Sequence, residues 1–346
     1  MTIGNPRHSV VHVGLGPIGR SVAAIVATHP GLRAVAAVDP AYAGQQLAEV
    51  LGVPDERRIP VVRSLSEVET RADIALHCTS SSLRAVVPQL RQLIEAGIAV
   101  VSTCEELSYP WDAAKDEARA IDLLAREHGV AVLGTGVNPG FAMDYLAVTL
   151  SAVATRVDRV RVVRRSDASR RRVPLQQKVG VGLSEAEFHR RVAARQLGHV
   201  GLRQSADAIA SAFGWQIDSY DERIEPIVAE HETVTSAVAI RAGDVLGLHQ
   251  TARARRDDAV VIDLDLTLAV LDGESEDRIS LSGEPDVELL VPGGLHGDSA
   301  TAAMVVNAIP RVLMAAPGLR TMLDIAPPHP WSSVSSMQPV SASAEL

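Results

Sequence analysis

The sequence predicts an α/β chain: a doubly wound parallel sheet, then an α+β domain whose sheet is mainly antiparallel. Three observations predict it. Up to residue 133, short continuous apolar runs alternate with amphipathic stretches, which is how strands buried on both faces read between covering helices. Past about Asn138 the periodicity changes, and Ile262-Asp263-Leu264-Asp265-Leu266-Thr267-Leu268 alternates apolar and polar residues strictly, the period of a half-exposed antiparallel strand. Between the first strand and the first helix stands Gly14-Leu15-Gly16-Pro17-Ile18-Gly19, a tight glycine turn.

The elements follow in order. Residues 9–13 form a β-rich run ending at that turn, 20–28 a helix, and Leu32–Val38 the next buried strand. A helix near 44–51, a strand over 73–78, a helix over 83–96 and a strand over 98–102 come next, then a helix over 111–128 and a strand at 130–133. In the second domain 184–196 and 205–213 read as helices, the first with Ser184 as N-cap and Glu187 completing a capping box. Residues 242–244 read as a hairpin turn, 272–277 as an acidic loop, and 299–314 as an Ala-rich helix with one apolar side. The expected boundaries are 1–138 for the first domain, 139–298 for the second, 299–330 for a C-terminal helix segment, and 331–346 for a Ser-rich tail with little reason to fold.

Composition bounds the function. The chain has 346 residues, 47% apolar and 22% charged, and its Ala, Val and Leu content implies an aliphatic core. A net charge of −9 argues against nucleic-acid binding, which needs a basic face. The polar start, 1–9, does not read as a signal peptide, and no apolar run reaches membrane-spanning length, so no membrane partner is expected. Cys78 and Cys104 fit neither a disulfide framework nor metal-ligand spacing; no metal is expected, and a reducing, cytoplasmic setting is the simplest reading.

The glycine turn points to a dinucleotide. Placed after a strand and before a helix, Gly14, Gly16 and Gly19, with Pro17 and Ile18, allow a tight turn, close approach of backbone to a pyrophosphate, and close helix–strand packing. Asp39 ends the next apolar strand, where an acid hydrogen-bonds a ribose 2′-hydroxyl. No Arg follows Asp39 within five residues to take a 2′-phosphate, which favours NAD(H) and leaves NADP(H) as the alternative. Thr79, Ser80 and Ser81 end the third sheet strand where ribose and nicotinamide would pass; a helix cap is the competing use of these serines. Gly134-Thr135-Gly136-Val137-Asn138-Pro139-Gly140-Phe141 specifies an unusual backbone path at the domain junction that lets backbone approach a nicotinamide ring, which places Asn138 among the cofactor candidates; a plain crossover is the competing reading.

Chemistry is expected of the segment Ser102-Thr103-Cys104-Glu105-Glu106-Leu107-Ser108-Tyr109-Pro110-Trp111. Two adjacent acids leave a strand beside aromatic residues, a setting in which a carboxylate can do acid–base work. Both acids also suit the first turn of a helix, and which of them works is open at this point. Four of the ten aromatics, Tyr109, Trp111, Phe141 and Tyr145, fall in this segment and in or just after the Asn138 segment, which suggests aliphatic packing for the scaffold and aromatics for a pocket.

Together these residues resemble the 2,4-diaminopentanoate dehydrogenase and native amine dehydrogenase family, relatives of dihydrodipicolinate reductase. The resemblance rests on GLGPIG at 14–19, STCEELSYPW at 102–111, GTGVNPGFAMDY at 134–145, GHVGLRQS at 198–205 and HGDSATAAMVVNAIPRV at 296–312. It implies a Rossmann domain, an α+β substrate domain whose sheet supports a homodimer, and a closing helix that returns to the Rossmann domain. It implies NAD(P)-linked interconversion of an amine with a small ketone or aldehyde and ammonia, and its catalytic glutamate falls on Glu105. The implied pocket is lined by Tyr109, Phe141, Tyr145 and His199, with Thr301 at the start of the last helix. A catalytically silent NAD sensor and a dihydrodipicolinate reductase-like or homoserine dehydrogenase-like oxidoreductase are the alternatives, although the chain has no His-rich, Lys-containing run. The cluster Arg161, Arg164, Arg165, Arg170, Arg171 and Arg172 reads as a solvated strand end and loop; with Lys178 it is where a substrate carboxylate would be sought.

Overall fold

Strand and helix alternate from His8 onward, as the apolar runs require. β1 (His8–Val13), α1 (Pro17–Thr28), β2 (Leu32–Val38), α2 (Leu47–Leu51), β3 (Val61–Val62), β4 (Ile74–His77), α3 (Leu83–Glu95), β5 (Ala99–Ser102), α4 (Lys115–Glu127) and β6 (Ala131–Gly134) come first. Next are α5 (Tyr145–Leu150), β7 (Arg156–Asp167), α6 (Val173–Lys178), α7 (Glu185–Ala193), α8 (Leu202–Ala212), β8 (Ser219–Val228), β9 (Thr233–Val234), β10 (Ala239–Ile240), β11 (Val245–Arg256), β12 (Ala259–Ala269), β13 (Glu276–Glu284) and β14 (Val287–Pro292). The chain ends with α9 (Gly297–Met314) and β15 (Gly318–Arg320). This computed structural model describes residues 7–54, 58–169, 173–235, 238–271 and 273–332. The chain divides into two units, one of Met1–Val137 with Gly297–Leu346, the other of Asn138–His296.

The first unit is built on a seven-stranded sheet of order β15-β6-β5-β4-β1-β2-β3, every pair parallel. Its order reverses between β1 and β4, the position at which such sheets open a crevice at their carboxyl edge. Val11, Val13, Val100 and Val132 bury one sheet face against Leu90 and Leu93 of α3 and Ile121 of α4. α9 packs on α1 and β5 of this unit, so the last helix and β15 belong with the first sheet. β3 and β15 are strands that periodicity does not reveal: at two and three residues they are too short to show a period.

Trp331 lies beyond the expected end of folded chain, yet it is buried. Its indole N–H donates to the Val306 carbonyl at 3.1 Å, and its ring meets the His29 imidazole at a centroid distance of 4.3 Å. The folded chain therefore includes Trp331; residues 333–346, the rest of the expected tail, lie outside the described residues.

The second unit is a six-stranded sheet of order β14-β13-β7-β12-β11-β8. Four of its neighbouring pairs are antiparallel; β12 runs parallel to β7 and antiparallel to β11. That placement corrects the reading of β12 as half-exposed: it is internal, and Asp263 and Thr267 are buried along with Ile262, Leu264 and Leu266. The turn at 242–244 exists but joins β10, which pairs with β9, to β11, which does not pair with β10, so it is not a hairpin turn. Ser184 caps α7 by accepting from the Glu187 N–H at 3.3 Å, while the Glu187 carboxylate pairs with Arg190 and Arg191. Phe188 of α7 is fully buried against Val179, Leu248 and Ile240, an aromatic that serves the scaffold.

Candidate active site

The carboxyl edge of the first unit is assembled by backbone contact between adjacent strands. The Gly14 N–H donates to the Val38 carbonyl at 2.8 Å, and the Cys78 N–H to Val13 at 2.7 Å, which brings the ends of β1, β2 and β4 together. Each glycine of the turn has its own reason. Gly14 has φ of 87°, and a Cβ there would come within 2.5 Å of the Cys78 carbonyl oxygen; a Cβ on Gly19 would overlap the Gly14 carbonyl. A Cβ on Gly16 would meet nothing within 4 Å, because Gly16 faces an open cleft of about 460 Å³. Gly16 is the N-cap of α1, with Pro17 in the first turn and no side-chain cap, so an anion would find free N–H donors there.

Asp39 lines the same cleft. Its Oδ2 accepts from the Leu15 N–H at 2.7 Å and its Oδ1 from the Ala41 N–H at 2.8 Å. The acid thus holds the glycine turn, and each oxygen retains lone-pair capacity for a ribose hydroxyl. The other lining residues include Arg63, Thr79, Gln89 and Gln92. Thr79 Oγ1 donates to Gln89 Oε1 at 2.8 Å, and Gln89 also meets His77 Nε2 at 2.7 Å; His77 Nδ1 lies 2.9 Å from Ser102 Oγ. Burial holds the His77 imidazole below its ordinary pKa, so this network ties β4 to β5 through a neutral ring. These side chains suit a nicotinamide dinucleotide: a bare helix start for pyrophosphate, a fixed acid for ribose, and open space where Gly16 lacks a side chain. Ser80 Oγ accepts from the Ser82 N–H, and the Ser81 carbonyl accepts from the Cys104 thiol and the Glu106 N–H, so the serines also shape the turn into α3.

Both acids after β5 lie in the 3-10 turn Glu105–Leu107, and their side chains are engaged differently. Glu106 Oε2 accepts from the Leu83 N–H at 2.7 Å, capping α3, whose own N-cap Ser82 supplies no side-chain bond. Among the described residues the Glu105 carboxylate accepts no hydrogen bond and joins no ion pair, although the side chain is half-buried. The turn is pinned by Ser108 Oγ, which donates to the Glu105 carbonyl at 2.8 Å. It also rests on β6: a Cβ on Gly134 would lie 2.5 Å from the Leu107 carbonyl. Tyr109 is buried just beyond the turn. In the same unit the Thr301 hydroxyl accepts from the Val137 N–H at 3.2 Å.

The remaining candidates lie in the second unit. Asn138 Nδ2 reaches Met143 Sδ at 3.3 Å, and its buried Oδ1 has no partner among the described residues. Phe141 and Tyr145 approach with ring centroids 6.5 Å apart. Between them Asp144, which sequence reasoning missed, is buried and accepts from Gly140 N–H (2.8 Å), Tyr145 N–H (2.6 Å) and Ser205 Oγ (2.9 Å). Burial raises its pKa, and those donors oppose the rise. His199 is held through its backbone by the Gln250 side chain, which accepts from its N–H at 2.7 Å and donates to its carbonyl at 2.8 Å. Burial, with Lys178 and Arg164 nearby, pushes its imidazole down to about 3, and its buried Nε2 has no partner among the described residues.

The arginine cluster is not uniformly solvated. Arg164 is buried: its Nη1 donates to both Asp277 oxygens (2.7 and 2.8 Å), and its Nη2 to the Leu295 carbonyl at 2.6 Å. Asp277 belongs to β13 and not to an acidic loop. Arg161 lies at the limit of pairing with Asp263 and Asp265, Lys178 is exposed, and Arg170, Arg171, Arg172 and Asp272 lie outside the described residues. Among the described residues there is no group of three or more His, Cys, Asp or Glu placed to hold a metal ion, and no helix is long and apolar enough to cross a membrane.

Residues 141–339 match the family model of the 2,4-diaminopentanoate dehydrogenase C-terminal domain. Over 334 residues the chain is 30% identical to the 2,4-diaminopentanoate dehydrogenase of Acetoanaerobium sticklandii, covering 92% of this chain and 94% of that protein. The chain belongs to the 2,4-diaminopentanoate dehydrogenase family. It is 22% identical to an amine dehydrogenase of Streptomyces virginiae, with 92% and 96% coverage. The solved structure of an amine dehydrogenase from Mycobacterium smegmatis superimposes with a TM-score of 0.83 at 26% identity, covering 94% of this chain and 98% of that one. Family membership makes the chain an oxidoreductase of the class that acts on CH–NH2 groups. The family's C-terminal domain begins at Phe141, close to the boundary between the two units, and runs through α9.

Proposed function

We propose that this member of the 2,4-diaminopentanoate dehydrogenase family interconverts a small ketone or aldehyde plus ammonia with the corresponding primary amine, with Glu105 as the acid–base group. The observation that carries the reading is the division of labour between adjacent acids: Glu106 is engaged on the N-terminus of α3, while Glu105 keeps its carboxylate free of protein partners among the described residues. A bound nicotinamide dinucleotide supplies the hydride in the reductive direction and accepts it in reverse. The Glu105 carboxylate takes a proton from ammonium, freeing its lone pair to attack the carbonyl carbon. It then returns the proton to the carbinolamine hydroxyl, which leaves as water, and its negative charge stabilises the iminium cation that remains. Hydride addition to the iminium carbon completes the amine, so one ketone, one ammonium and one hydride yield one neutral amine and one water. Tyr109 and Thr301 of the first unit, and Phe141, Tyr145 and His199 of the second, are the candidate substrate contacts.

Gly14, Gly16, Pro17, Ile18, Gly19, Thr79, Ser80, Ser81 and Asn138 are the proposed dinucleotide contacts, with Asp39 on the ribose hydroxyls, which favours NAD(H). The family resemblance also supports a homodimer built on the second unit's sheet. The test is NADH oxidation across a panel of small ketones and aldehydes, with and without ammonium. Turnover is expected only with ammonium, and Glu105→Gln should lower it by about a hundredfold or more while NADH binding is retained. Full activity of Glu105→Gln would overturn the assignment.

A further inference from the structure

The dinucleotide reading of the cleft, on which this inference rests, leaves one charged lining residue without a task. Ala37 and Val38 of β2 pair in parallel register with Val61 and Val62 of β3, and the Asp39 N–H donates to the Val62 carbonyl at 3.0 Å. Asp39 and Arg63 therefore stand at the same level, each one residue past the paired ends of neighbouring strands, and both line the cleft. They do not pair with each other. Asp39 is engaged by the Leu15 and Ala41 N–H groups, and Arg63 is exposed with no ion-pair or hydrogen-bond partner among the described residues.

The neighbours of Arg63 do not neutralise it. Ser64 Oγ donates to Glu67 Oε1 at 2.8 Å, Gln89 is held by His77 and Thr79, and Gln92 is uncharged. What remains at the cleft wall is a guanidinium with its donor fork unclaimed, beside the acid proposed for the ribose. A planar guanidinium matches a phosphate through two parallel hydrogen bonds. We infer that Arg63 receives the 2′-phosphate of NADP(H), so that one cleft takes both dinucleotides: Asp39 serves the free ribose hydroxyls of NAD(H), and Arg63 offsets the repulsion between Asp39 and a 2′-phosphate. The absence of an Arg immediately after Asp39 in sequence then does not exclude NADP(H), because the cation comes from the adjacent strand.

Isothermal titration of the full chain with NADH and with NADPH tests this without turnover. Arg63→Ala should weaken NADPH by about tenfold or more, the scale of a lost charge-assisted contact, and leave NADH within about twofold. Arg63→Lys should retain part of the NADPH affinity, since it keeps the charge and loses the fork. Equal weakening of both dinucleotides would place Arg63 on the adenine or the scaffold and overturn the inference. So would an unchanged NADPH affinity in Arg63→Ala, or a wild-type chain that binds NADH but not NADPH. If neither dinucleotide binds the wild-type chain, the reading of the cleft itself falls.

Discussion

Replacing Glu106 separates the roles of the two adjacent acids. Its carboxylate accepts from the Leu83 N–H at 2.7 Å at the start of α3, where Ser82 contributes no side-chain cap. Alanine at 106 leaves that donor without its partner and removes a negative charge from the positive end of the helix. Loss of a cap with a charge-assisted bond costs about 1–2 kcal/mol, or a fall of roughly 2–8 °C in Tm for a unit of this size. Glu106→Gln keeps an acceptor and loses only the charge, so its cost should fall between wild type and alanine. Glu105 holds no partner whose loss would be felt, and Glu105→Gln should stay within about 0.5 kcal/mol of wild type. The assays are urea and thermal unfolding followed by circular dichroism, with ammonium-dependent NADH oxidation measured well below the transition. Glu106→Ala should be destabilised yet active within a few-fold, and Glu105→Gln stable yet inactive. An inactive Glu106→Ala of undiminished stability, beside an active Glu105→Gln, would refute the division of roles.

Two further outcomes follow from buried charge. His12 on β1 is buried with no partner for Nε2 among the described residues, and burial lowers its pKa from 6.5 to about 4. Because the folded value lies below the unfolded one, stability is full above pH 6.5 and falls as pH drops toward 4. Between pH 7.5 and 5 the loss from this group is about 2 kcal/mol. The urea midpoint of His12→Leu should fall less over that range than that of wild type, and identical falls would exclude His12 as the source. In the second unit, Asp277→Ala strands the buried Arg164 guanidinium and should cost about 3–5 kcal/mol or prevent folding. Converting both residues to Met and Leu should recover much of that loss, and a double variant no better than the single one would argue that the pair does more than neutralise itself.

The parallel sheet was legible because its central strands are continuous apolar runs, and their ends carry the glycine turn, Asp39 and the Glu105 segment. What escaped sequence reading depends on pairing between distant segments. β15 joins β6 from the far end of the chain, and three residues carry no period. Arg63 becomes a neighbour of Asp39 only through the register of β2 and β3. Asp277 reads as one acid among several until β13 pairs with β7 and sets it against Arg164. The expected reservation of aromatics for a pocket fails at Phe188 and Trp331, which fill the cores of their own units. The choice between Glu105 and Glu106 was illegible for a plainer reason. Adjacent identical side chains differ only in direction, and a 3-10 turn sets that direction.

The same edge of the first sheet shows why one acid stays free. Asp39 and Glu106 each accept backbone N–H donors at a loop or helix start, contacts that hold the glycine turn and the entry to α3 in place. Both carboxylates are thereby occupied in fixing the backbone around them. Glu105 carries no such duty, and its position is secured without its carboxylate: Ser108 holds its carbonyl, and the bare Cα of Gly134 lets the turn settle onto β6. Backbone anchoring leaves the side chain able to change protonation without moving the turn. That is the property a group must have if it is to take a proton from ammonium and return it to a leaving hydroxyl within one catalytic cycle.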